Sequence, residues 1–81
     1  MNIAAIRSLV EGFDNHQLQQ AEADLLEGKA LAIPVDGSDE GEQLTHVLAA
    51  LWVVQHMKES GNDVMTSIRE YTKRVRSSIS P

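Results

Sequence analysis

The chain has 81 residues, no cysteine, 42% hydrophobic residues and a formal net charge of −5. That size makes one domain, residues 1–81, near the small end of what folds alone, and the missing cysteines exclude a disulfide framework or a cysteine-built structural zinc. No run approaches the ~20 apolar residues of a membrane span, and the opening MNIAAIRSLVEGF is too short and too interrupted by Arg7 and Glu11 for a signal peptide, so the expectation is a cytoplasmic protein.

In chain order the first helix should run from Asn2, an N-cap residue type, to Glu11, with Ile3, Ile6, Val10 and Phe13 on its buried edge. Asp14 can cap a second helix, NHQLQQAEADLLE, whose Leu18, Ala21 and Leu25 share one line and which closes at Gly28. The next ten residues have no helical period. Ile33 precedes Pro34 and is thereby pushed toward an extended backbone, and the alternation Leu31, Ile33, Val35 predicts an ordered strap over the core from Lys29 to Ser38.

A third helix starts with Asp39 at the N-cap and Glu42 at N3, and ends at Ser60 with Gly61 beyond it. Its apolar residues occupy two sides: Leu44, Val47, Leu48, Leu51 and Val54 form one stripe, and Ala49, Ala50, Val53 and Met57 a second. Such a helix must be covered twice. In so short a chain the expected covers are its own helices on one side and a second copy on the other, which predicts a homodimer through His46, Ala49, Ala50, Val53 and Met57. A buried imidazole at that contact would let pH tune assembly. The fourth helix opens at Asn62 or Asp63, with Val64, Ile68, Tyr71, Val75 and Ile79 at helical spacing. The fold class is therefore all-α, a compact four-helix domain around a central third helix. Its core is drawn from Ile3, Ile6, Val10, Phe13, Leu18, Leu25, Leu44, Val47, Leu48, Leu51, the sole tryptophan Trp52, Ile68, Tyr71 and Val75.

Residues 1 to 68 carry three basic and eleven acidic side chains, whereas residues 69 to 81 carry four basic and one acidic. The last helix is a basic patch on an acidic body. Arg69, Lys73 and Arg76 fall within about 60° on that helix and form a stripe suited to an acidic protein partner, with Arg74 outside it. Nucleic acid is disfavoured, because phosphate neutralisation wants the opposite overall sign and a base-stacking platform wants more aromatics than Tyr71.

Glu42 and His46 stand four apart and project from one helix face, which makes them half of a metal or acid–base site. A catalytic metal normally takes three protein ligands, and neither His16 nor His56 has a spacing that supplies the third; both read as solvent-facing. The segment DGSDEGE precedes a helix but lacks the lysine of a phosphate-binding loop, and its carboxylates would repel phosphate. No cofactor is expected.

Residues Asp36–Trp52, with Ile33–Val35 ahead of them, and Arg69–Ile79 together resemble a small bacterial family of all-helical proteins of unknown function. The resemblance spans most of the chain and implies a compact helical cytoplasmic protein, with no activity, cofactor or catalytic residue to carry over. Charge segregation without a complete catalytic constellation predicts a non-enzymatic interaction module acting as a homodimer. The alternative is a metal-dependent or acid–base enzyme using Glu42 and His46 near a subunit interface.

Overall fold

The computed structural model describes the backbone of residues 2–79 and the side chains of residues 2–76, so the side chain of Ile79 lies outside the described residues. Four helices follow in order: α1 (Ile3–Gly12), α2 (Asn15–Glu27), α3 (Glu40–Ser60) and α4 (Val64–Ile79). Each begins where a short polar side chain satisfies the first free backbone N–H groups. The Asn2 side-chain oxygen Oδ1 accepts from the N–H of Ala4 and Ala5. Asp14 and Gln17 form a reciprocal capping box, at 2.8 and 3.0 Å. Asp39 accepts from the N–H of Glu42 at 2.8 Å, and Asp63 from that of Thr66 at 2.8 Å. Gly28 (φ +71°) and Gly61 (φ +76°) end α2 and α3 in the left-handed conformation that glycine adopts at least cost.

Helix α3 is the hub. Val47 and Ala50 join Leu9 of α1, Leu18, Ala21 and Leu25 of α2, and Val35 in one cluster. Ala49 and Val53 join Ile6 of α1 and Ile68 of α4 in another. Val10 of α1 packs against both clusters and links them. Asn2 meets His46 at one end of α1, and Phe13 lies beside Val54 and Met57 at the other, so α1 runs parallel to α3. Contacts of Trp52 with Tyr71 and of His56 with Ser67 make α4 antiparallel to it.

Both sides of α3 are therefore covered within one chain. His46, Ala49, Ala50 and Val53, expected at an interface between copies, are 0% exposed. Their place is the interior of the fold, because α1 and α4 close over Ala49 and Val53, α1 and α2 over Ala50, and the start of α1 and the strap over His46. Two residues expected in the core lie at the surface instead: Ile3 is 37% and Leu48 43% exposed. The buried line of α1 is turned toward Ala5 and Leu9, which leaves Ile3 outside. Leu48 lies on the side of α3 that neither cluster occupies.

The strap from Lys29 to Ser38 alternates as expected, with Leu31 and Ile33 half-buried and Val35 buried, while Ala30, Ala32, Pro34 and Asp36 face outward. No strand occurs among the described residues; the strap's polar groups bond to α3 instead. The Gln43 side-chain amide donates to the Val35 carbonyl at 3.0 Å, and His46 Nδ1 lies 2.8 Å from the Asp36 carbonyl oxygen. Gly37 (φ +154°) runs so close to α3 that an added Cβ would stand 2.8 Å from the Gln43 backbone nitrogen. Among the described residues no helix is long and apolar enough to cross a membrane.

Two outcomes follow from these contacts. Gly37→Ala forces the strap off α3 and should cost about 1–3 kcal/mol in urea unfolding. Asp63 is held below its ordinary pKa of 3.8, first by the Thr66 backbone N–H and then by the Thr66 side chain, against an opposing effect of desolvation, with the charge of Arg69 contributing least. A lowered folded-state pKa adds stability that is complete above 3.8 and is lost as pH falls through the folded value. Asp63→Asn keeps the cap and should flatten acid unfolding in that window; an unchanged acid limb would contradict this role.

Candidate interaction surface

The chemistry-bearing residues divide into those consumed by the fold and those left at its surface. His46 belongs to the first group. It is fully buried on α3 between the start of α1 and the strap. Its Nε2 accepts from the Asn2 backbone N–H at 3.0 Å, which assigns the ring proton to Nδ1, and Nδ1–H donates to the Asp36 carbonyl at 2.8 Å. Neither nitrogen keeps a lone pair for a metal or a substrate proton in this arrangement. Glu42, one turn earlier, accepts from the Ser38 hydroxyl at 3.2 Å and has its backbone N–H bonded to Asp39. The pair thus shares a helix face as its spacing predicts, while each member is engaged in holding the strap-to-α3 junction. No group of three His, Asp or Glu side chains with metal-binding geometry occurs among the described residues.

His56 departs from its expected place. It is half-buried, stacked on Trp52 with ring centroids 4.8 Å apart and planes 13° from parallel, and its Nδ1 lies 3.0 Å from the hydroxyl of the fully buried Ser67. The i, i+4 spacing of Trp52 and His56 was a readable signal for this stack. A serine beside a histidine resembles half of a nucleophile–base pair, but a substrate has no access to a hydroxyl at 0% exposure. His16 is exposed, as expected, at the rim of a 200 Å³ recess formed with Gln17, Gln20, Ala21, Ala32 and Ile33.

Arg69, Lys73 and Arg76 are exposed together on the outer face of α4. Lys73 approaches Glu70 at 3.7 Å, a solvent-exposed pair of little energetic weight. Arg69 and Arg76 make no ion pair among the described residues. Arg74 lies elsewhere, its guanidinium carbon 5.6 Å from the centroid of the Trp52 ring.

Of the residues expected at a dimer contact, Met57 alone keeps surface, lining a 280 Å³ apolar groove with Val10, Phe13, Val54 and Lys58. The exposed apolar side of α3 is the one formed by Leu48 with the half-buried Leu44, Leu51 and Trp52.

His46→Phe preserves ring volume but leaves the Asn2 N–H and Asp36 carbonyl without their partner. It should lower stability by about 1–3 kcal/mol and speed amide exchange in the strap; full retention of both would refute the clamp.

No curated protein and no solved structure matches the chain. Its sequence matches residues 1–80 to the family of unknown function DUF6952, and the chain belongs to that family.

Proposed function

We propose that this chain is a small non-enzymatic interaction module that acts as a homodimer and presents Arg69, Lys73 and Arg76 to an acidic protein partner. The observation that carries the reading is the disposition of polar groups. The residues with catalytic potential hold the fold together, whereas three cations share one exposed face of α4 on an otherwise acidic molecule.

Long-range attraction between such a face and a negatively charged surface speeds encounter and weakens with added salt. Exposed Lys and Arg heads on long apolar stems also contribute contact area once a partner excludes water. The acidic body works against nucleic acid, which would meet repulsion everywhere except at α4.

The test is affinity capture from the source cytosol with wild type and an Arg69/Lys73/Arg76 triple alanine variant as baits. The reading predicts an acidic protein bound by wild type, lost from the variant and released by salt at a few hundred millimolar. A partner retained equally by both baits would remove the basic face from the mechanism.

A further inference from the structure

The uncovered side of α3 has a specific geometry. Leu44, Leu48, Leu51 and Gln55 follow one another at spacings of four, three and four residues, the seam of a helix built to lie along another helix. Leu48 and Gln55 are exposed, while Leu44 and Leu51 rest with one side on the cluster around Val47 and stay half-buried, so the seam is open to solvent along Leu48 and Gln55 and partly open at its other two positions. The rest of the α3 circumference is occupied by the two clusters.

Charge selects the occupant and its direction. Glu40 and Lys58 are eighteen residues, five full turns, apart, so both lie in one row along the same edge of the seam, and both are exposed. When two identical helices pack antiparallel about a two-fold axis, like edges meet. With the axis between Leu48 and Leu51, each Leu48 faces the partner's Leu51, and each Glu40 lies beside the partner's Lys58. A parallel two-fold arrangement brings unlike edges together, so Glu40 and Lys58 of each copy would lie on opposite edges from those of the other and form no pair across the seam.

We propose that two copies of this chain associate antiparallel along α3, through Leu44, Leu48, Leu51 and Gln55, with Glu40 paired to the partner's Lys58 on both sides of the axis. The surface rests on the self-association in the reading above and is independent of the basic face of α4. It lies opposite the Ala49 and Val53 side, which the chain itself covers.

Sedimentation velocity between about 1 and 100 μM tests it, using wild type, Leu48→Glu, Glu40→Lys, Lys58→Glu and the Glu40→Lys/Lys58→Glu double variant. Circular dichroism establishes that each is folded, and Leu48 tolerates the change because its side chain is at the surface. The expected result is a wild-type dimer, a dissociation constant raised at least about tenfold by Leu48→Glu, about fivefold by each single charge reversal, and returned toward wild type in the double variant. A dimer indifferent to Leu48→Glu overturns the seam but leaves self-association standing. A double variant no better than either single reversal overturns the antiparallel register. Wild type monomeric over the whole range overturns the seam and the self-association together.

Discussion

The arrangement depends on covering one helix. Segment Glu40–Ser60 is apolar around most of its circumference, and water is excluded from it only when other elements lie along it. Ala49 and Ala50 supply the means: their small side chains let α1, α2 and α4 come close, and both are fully buried. Ile6, Leu9 and Val10 serve two clusters from one short helix because α1 lies over the line between them. The positions of α1, α2, the strap and α4 are all answers to the same demand.

Burying that helix carries its polar residues inward, and the fold finds partners for them. His46 would be costly at 0% exposure without hydrogen bonds at both ring nitrogens, and the Asn2 N–H and Asp36 carbonyl provide them. The bonds tie the first residues of the chain and the end of the strap to α3, forty-four and ten residues away in sequence. Gln43 repeats the device at Val35, and Ser67 at His56. No buried side-chain nitrogen or oxygen among the described residues lacks a partner. The histidines that a sequence offers as candidate chemistry are thus structural links in two places, and the groups left at the surface include the cations of α4 and Leu48 of α3.

Helix number, order and ends were legible in the sequence because they are set locally: Asn2, Asp14, Asp39, Gly28 and Gly61 act on their own few residues. The strap was legible for the same reason, through Pro34 and the alternation around it. Periodicity gives the angle of each side chain about its helix but not which neighbour stands at that angle. The two stripes of α3 are therefore readable, while what covers the alanine stripe is decided by tertiary packing: Ala49 and Val53 are buried by α1 and α4 of the same chain rather than by a second copy. Ile3 and Leu48 follow the same logic, apolar and in phase yet standing where no element arrives. The bonds of His46 were out of reach, since contacts to Asn2 and Asp36 are consequences of assembled packing.

Which side of α3 the chain itself covers is the point on which both the fold and the proposed contact rest. Because the protein has no cysteine, single-cysteine variants at Leu48 and Val53 report it directly through their rates of thiol labelling in dilute solution. With Leu48 at 43% exposure and Val53 at 0%, Leu48→Cys should label nearly as fast as an unfolded thiol, and Val53→Cys only through global unfolding. Rapid labelling of native Val53→Cys together with protection at Leu48→Cys would contradict the account.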